Sequence, residues 1–167
     1  HNGVASSTEV EQATGIGVYG KLPMLGKGTE NNVLDPVVHE KPDEPFAEAV
    51  RALRTALEFS LFADDKKVLM VSGLIEGVGK SFVSTNLACS FAMSGKKVLL
   101  VDMDLRRGRM FKKGHKGLCE MLRAEKFDDE YIEMVSENYH IIGSGKRVVN
   151  PGDLLNKNRF GTFLDTF

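Results

Sequence analysis

Val68-Leu69-Met70-Val71-Ser72-Gly73-Leu74-Ile75-Glu76-Gly77-Val78-Gly79-Lys80-Ser81 is the stretch whose reading decides the fold. Its first four residues are a short apolar run, the composition of a strand buried on both faces. A glycine-containing loop follows. From about Gly79 to Ser94 the apolar residues Val83, Leu87 and Phe91 recur at helical spacing, with Gly95 as the stop. Strand, glycine loop and helix in that order form the context of a phosphate-binding loop. Glycines let backbone N–H groups turn towards phosphate oxygens, and the helix N-terminus adds the positive end of its dipole. Lys80 would reach the outer phosphates as a point charge, and the Ser81 hydroxyl would ligate Mg2+. The predicted nucleotide cradle is Glu76, Gly77, Val78, Gly79, Lys80, Ser81 and Phe82. The strict pattern G-x-x-x-x-G-K-[ST] asks for glycine at Leu74; here the glycine stands one place earlier, at Gly73.

Downstream, Lys97-Val98-Leu99-Leu100-Val101 reads as a second buried strand that runs into Asp102-Met103-Asp104-Leu105-Arg106. Two carboxylates at the C-terminal end of a parallel strand sit where α/β sheets bind ligands. At i, i+2 they are expected on the same side of the strand. Beside a nucleotide, Asp102 and Asp104 would hold Mg2+, directly or through water, or accept a proton from an attacking hydroxyl. The predicted metal ligands are therefore Ser81, Asp102 and Asp104, and the predicted catalytic residues Lys80, Asp102 and Asp104. ATP or ADP with Mg2+ is the cofactor set.

Upstream, Pro45 suits a first helical position, and Phe46, Val50, Leu53, Leu57 and Leu61 make one apolar stripe. Glu48, Arg51 and Arg54 fall on a different face, where ion pairs at helical spacing would each contribute only about 0.2–0.5 kcal/mol. Residues 46–101 thus read helix, strand, helix, strand. That order predicts an α/β fold with a parallel sheet flanked by helices. Residues 1–45 read as a mostly irregular segment, with a helical turn at Glu9–Ala13, a short strand at Ile16–Tyr19 and a loop at Gly26–Asn32. Beyond the second strand come a basic connection over 106–116, helical pieces near 117–124 and 128–136, and a strand at Tyr139–Ile142. A last helix starts at Asn150-Pro151, with Asn150 as cap.

The whole chain, 167 residues with 42% apolar and 27% charged, has the profile of a globular protein. Its net charge of −1 argues against a nucleic-acid partner. No apolar run approaches the roughly 18 residues of a membrane span. Cys89 and Cys119 read as small buried hydrophobes. His39, His115 and His140 lack metal-ligand spacing. The first residue is His1, and the chain is read as a fragment. Charge is uneven: residues 1–67 are acidic, and Arg106, Arg107, Arg109, Lys112, Lys113 and Lys116 cluster without an acid.

The pairing of the glycine loop with Val101-Asp102-Met103-Asp104-Leu105-Arg106 resembles bacterial tyrosine autokinases, the cytoplasmic kinase domains attached to co-polymerases of capsular and exopolysaccharide export. Pro45–Arg54, with E-x-x-R-x-x-R at Glu48, Arg51 and Arg54, is similar to their pre-loop helix. Gly117-Leu118-Cys119-Glu120-Met121-Leu122 and Asn150-Pro151-Gly152-Asp153-Leu154-Leu155 resemble two further segments. The resemblance covers about residues 15–167. It implies an ATP-dependent protein-tyrosine autokinase that regulates polysaccharide biosynthesis and export. It places the protein at the cytoplasmic face of the bacterial inner membrane, with a membrane activator, fused or separate, as partner. It implies a homo-oligomer with Glu48, Arg51 and Arg54 at the contact. The kinase domain would be 46–167, C-terminally incomplete and truncated before the second metal-binding strand. Two alternatives stay open: a chromosome- or septum-positioning ATPase, which usually carries an extra lysine early in the loop where this chain has Gly-Leu-Ile-Glu (73–76), and a catalytically silent nucleotide-binding regulatory module.

Overall fold

The computed structural model describes residues 6–25, 35–61, 68–107, 116–155 and 157–167. The chain divides into two compact units, His1–Val78 and Gly79–Phe167.

In the first unit, α1 (Ser7–Thr14) is capped by Ser6, whose Oγ accepts the Glu9 N–H at 3.2 Å, and ends at Gly15 with φ 70°. The strand expected at Ile16–Tyr19 is not formed. The Val18 N–H is taken at 2.8 Å by the Glu11 carboxylate, so that backbone group closes onto α1 and not onto a neighbouring strand. The one-turn helix α2 (Val37–Glu40) packs on α3 (Pro45–Leu61). Val37, Val38, Phe46, Ala47, Val50 and Leu57 are buried. Of the apolar stripe read from the sequence, Phe46, Val50 and Leu57 are thus buried, Leu53 is half-buried, and the side chain of Leu61 lies outside the described residues.

The expected buried strand at 68–71 is irregular, with Val68 76% and Met70 84% exposed. An apolar run is a strand only where a neighbour completes its hydrogen-bond ladder. Among the described residues none pairs with this one. The predicted loop Gly26–Asn32 lies outside the described residues, as do Arg109, Lys112 and Lys113 of the basic connection.

The second unit holds the sheet, of order β1-β3-β2, with β1 Val98–Val101, β2 Glu133–Ser136 and β3 Tyr139–Ile142. β1 and β3 are parallel, in the register Val98↔Tyr139 to Val101↔Ile142. β2 joins β3 antiparallel, which makes the sheet mixed. The helix expected over 128–136 is thus a 3-10 turn (Asp129–Tyr131) followed by β2. Exposure alternates along β2, with Glu133 and Val135 half-buried and Met134 and Ser136 exposed, and Glu137-Asn138 turns the chain back into β3. Period two with a two-residue turn is a hairpin signal.

Helix α4 (Lys80–Met93) packs on β1 and β3. The core of the unit lies on the other sheet face. There Leu118, Cys119, Met121 and Leu122 of α5 (Leu118–Ala124) meet Leu105, Tyr131, Ile142, Val148, Leu154 of α6 (Pro151–Leu154) and Phe163 of α7 (Lys157–Thr166). Leu99 and Val101 point into that core. By strand alternation Val98 and Leu100 face α4. The expected single C-terminal helix is therefore two. Asn150 makes no side-chain cap; its Nδ2 donates to the Asp153 carboxylate at 2.8 Å.

Tyr139 is 2% exposed, and among the described residues its hydroxyl has no hydrogen-bond partner. Burial pushes its ionisation far above the ordinary tyrosine range, with a smaller contribution from Cys89. A buried hydroxyl without a partner carries a desolvation penalty on the order of 1–3 kcal/mol. Tyr139→Phe is expected to leave stability unchanged or raise it by about 1 kcal/mol. Denaturant unfolding checks this; a loss larger than about 1 kcal/mol would mean that the hydroxyl is paired in solution.

Candidate functional site

The loop into α4 is shaped by two glycines with left-handed backbones, Gly77 (φ 78°) and Gly79 (φ 88°). Any side chain would be strained there. Gly79 is the residue before the helix, and its carbonyl accepts the Val83 N–H at 2.8 Å, the first bond of α4. The first turn of α4 carries no acidic residue, so no carboxylate of its own offsets the positive dipole end. Lys80 is half-buried and Ser81 exposed. The Ser81 carbonyl accepts the Thr85 hydroxyl at 2.7 Å and the Ser84 hydroxyl at 3.1 Å. The preceding predicted cradle residues, Glu76 and Val78, are exposed, and Phe82 is half-buried within α4.

A four-residue connection, 94–97, joins α4 to β1. A helix packed on the next strand through so short a link runs antiparallel to it, so the start of α4 and the end of β1 lie at one end of the sheet. The structure thus brings Lys80 and Ser81 to the same end as Asp102 and Asp104. The ladder continues one bond past β1: the Asp102 N–H donates to the Ile142 carbonyl at 2.9 Å. Asp102 therefore keeps the parity of Val98 and Leu100, the residues that face α4.

The two aspartates are not successive residues on one side of a strand, as the spacing predicted. The chain turns after Asp102. Its Oδ1 accepts the Asp104 N–H at 2.9 Å, and the Asp104 Oδ1 accepts the Arg107 N–H at 3.1 Å. Each carboxylate uses one oxygen to hold the turn, which fixes its side chain. Asp102 is 6% exposed, whereas Asp104 faces solvent. One is a buried acceptor and the other an accessible one.

The oxygen donors present, two carboxylates and a hydroxyl, fit a magnesium ion, which usually takes one or two carboxylates and completes its shell with phosphate oxygens and water. The glycine loop and helix start fit the phosphates themselves.

Behind the Asp102–Asp104 turn lies an arrangement that pattern reading flagged only as a helix start. The first amides of α5 donate to the loop after β3, Leu118 N–H to the Gly143 carbonyl at 2.8 Å and Cys119 N–H to the Ser144 carbonyl at 3.0 Å. The Glu120 carboxylate accepts the Gly117 N–H at 3.0 Å and the Lys146 N–H at 3.1 Å. A Cβ at Gly117 would collide with the Gly143 carbonyl and lie 2.5 Å from the Gly145 nitrogen, so only glycine permits this approach. Gly145 is left-handed (φ 77°), and a Cβ there would run into the Glu120 carboxylate. Glu120 at the third helical position supplies one half of a capping box, bonding the cap N–H, while Gly117 has no side chain to return the bond; a glutamate three residues after a glycine is therefore only a weak signal in the sequence. Burial raises the Cys119 thiol, and the charges of Glu120 and Asp102 add to the rise while Arg123 opposes it.

The predicted contact residues lie on α3. Glu48 is exposed. Arg51 is half-buried and donates to the Pro42 carbonyl at 2.7 Å. Arg54 is paired with Glu58 at 3.7 Å.

The AAA domain family matches residues 66–162, and the chain belongs to it. Within that family the similarity runs to bacterial tyrosine kinases. The chain is 33% identical over 180 residues to a putative tyrosine-protein kinase EpsB of Ralstonia solanacearum, covering 99% of this chain and 24% of the relative. It is 33% identical over 185 residues to the tyrosine-protein kinase etk of Escherichia coli K12, covering 98% and 25%. The chain therefore spans about a quarter of the length of the curated relatives it matches. Among solved structures it is similar to the kinase domain of the E. coli tyrosine kinase ETK, with TM-score 0.84 and 32% identity over 98% of this chain and 68% of that one. It is also similar to the BceF tyrosine kinase domain, with TM-score 0.85 and 29% identity over 99% and 72%. The fold is thus that of bacterial tyrosine kinase domains.

Lys116, next to Gly117, pairs with Glu130 at 2.6 Å and lies 5.7 Å from the centre of the Tyr131 ring. The hydrogen bond from Lys116 holds the Glu130 carboxyl below its ordinary value and raises Lys116 in turn. A depressed carboxyl contributes stability above its unfolded value, about 4.3, and loses it as pH falls through the folded value. The raised lysine contributes below about 10.4 and loses it as pH rises through its folded value. Lys116→Met is therefore expected to flatten the decline of stability below pH 4.5. Parallel pH titrations of the unfolding midpoint check this, and 0.5 M NaCl should shrink the difference because the pair is exposed.

Proposed function

We propose that the chain is the nucleotide-binding part of an ATP-dependent protein-tyrosine autokinase that regulates capsular or exopolysaccharide biosynthesis and export. What carries the reading is the juxtaposition at one end of the sheet: the glycine-shaped start of α4 beside the Asp102–Asp104 turn. Lys80 and the α4 amides would bind phosphates, with Glu76, Gly77, Val78, Gly79 and Phe82 contributing backbone to the cradle. Ser81, Asp102 and Asp104 would hold Mg2+, which when bound neutralises charge on the transferred phosphoryl group. Asp104, the accessible carboxylate, is suited to accept the proton of an approaching tyrosine hydroxyl, and Asp102 to orient the turn from its buried position.

The acceptor hydroxyl is not expected from Tyr131 or Tyr139, which are buried. The third tyrosine, Tyr19, is exposed, so the hydroxyl would come from Tyr19, from another segment or from another copy. In this reading α3 supplies the contact between copies: Glu48 is exposed, and Arg51 and Arg54, half-buried, are held on the helix by Pro42 and Glu58. In this reading the partner is a membrane activator, fused or separate, at the cytoplasmic face of the bacterial inner membrane. Among the described residues no helix is long and apolar enough to cross a membrane.

Incubation of the full-length protein with Mg-ATP followed by phosphotyrosine detection is the test. Lys80→Ala and Asp104→Asn are each expected to lower the signal by more than about 100-fold. Phosphotyrosine that persists in Lys80→Ala, or is absent from the unaltered protein, would overturn the reading.

A further inference from the structure

We infer that Glu120 is a positioning residue for the aspartate turn, acting through the loop that follows β3. The inference rests on the kinase reading above for its chemistry but on the structure alone for its geometry. Glu120 touches neither the α4 start nor the two aspartates by any hydrogen bond described. Its influence runs through backbone.

The loop 142–148 is joined to the aspartate turn at both ends. The Ile142 carbonyl accepts the Asp102 N–H at 2.9 Å, and the Val148 N–H donates to the Leu105 carbonyl at 3.2 Å. Asp102 to Leu105 is therefore strapped to Ile142 to Val148. Glu120 fixes the middle of that strap by accepting the Lys146 N–H with one oxygen and the Gly117 N–H with the other. The α5 amides of Leu118 and Cys119 hold the Gly143 and Ser144 carbonyls alongside. Two N–H groups on one carboxylate are charge-assisted bonds, stronger than neutral ones. They tie residues 26 positions apart, and no other side chain is described as bonding the 143–147 backbone. Removing the carboxylate would free the Lys146 amide and loosen the strap between its two bonds to the turn, at Ile142 and Val148.

The chemical consequence is specific. A turn that carries the proton acceptor and metal ligands must be held to a fraction of an ångström for phosphoryl transfer. Nucleotide binding at the start of α4 does not require it. Loss of Glu120 should therefore lower turnover while leaving nucleotide affinity nearly intact.

The test compares Glu120→Ala and Glu120→Gln with the unaltered full-length protein. Gln keeps the side-chain volume and one acceptor oxygen, so it retains one of the two bonds. Hydrogen exchange is followed at the Asp104, Lys146 and Val148 amides, with the Val83 amide of α4 as internal reference. The expected result for Glu120→Ala is at least about 10-fold faster exchange at those three amides and no change at Val83. Autophosphorylation kcat should fall about 10–100-fold, with KM for ATP within about threefold, as for outer residues that orient reacting groups. Glu120→Gln should fall between the two. If Glu120→Ala does not fold, Glu120→Gln alone decides by the same readouts. Unchanged exchange at the three amides overturns the inference whatever the activity. Faster exchange with unchanged kcat also overturns it, because Glu120 then supports structure only. If the unaltered protein forms no phosphotyrosine, the kinase reading fails separately. Glu120 is then judged by exchange at the three amides alone, and unchanged exchange in Glu120→Ala overturns the inference.

Discussion

The parallel pairing of β1 with β3 is the constraint on which the second unit depends. It sets Val98 to Val101 against Tyr139 to Ile142 and delivers the chain that leaves each strand to the same edge. Asp102 emerges from one strand and Gly143 from the other, and the ladder extends past the end of β1, where the Asp102 N–H donates to the Ile142 carbonyl. With that pairing in place, α4 must cover the Val98–Leu100 face and α5 the Leu99–Val101 face. The core of α5, α6 and α7 then follows from burying Ile142 and its neighbours.

The site inherits its order from this pairing. The short link between α4 and β1 turns the helix start towards the strand end. A strand end leaves backbone groups without a ladder, and here they are taken up by side chains, Asp102 for Asp104 and Asp104 for Arg107. The aspartates are thus both chemical groups and structural acceptors. Their neighbour loop, 143–147, lies so close to the start of α5 that a Cβ at Gly117 would meet its backbone and one at Gly145 would meet the Glu120 carboxylate.

Much of this was legible from the residues. The apolar β1 and the helices α3 and α4, with the glycines before α4, announce themselves by local pattern, and each of these elements forms where expected. What failed was whatever depends on a distant partner. Val68 to Val71 has strand composition and no described neighbour to pair with. Glu133 to Ser136 carries weak alternation, and only β3 makes it a strand. Ile16 to Tyr19 loses its backbone donor to Glu11, a side chain seven residues away. The spacing of the aspartates predicts one side of a strand and misses their turn, because an Asx bond between them competes with that strand geometry. Glu120 was hidden for a related reason: its second partner lies 26 residues further along the chain.

The left-handed Gly145 has one more implication. A Cβ at that position occupies the space of the Glu120 carboxylate, so the two positions cannot vary independently. A substitution at Gly145 strains the left-handed backbone and displaces the carboxylate as well, so it includes the damage of a change at Glu120, and a second change at Glu120 then adds little. The effects of the two are expected to be strongly non-additive, as for any residues that share one space. Loss of the carboxylate, whether by displacement from Gly145 or by truncation at Glu120, severs the same two bonds, to the Gly117 and Lys146 amides.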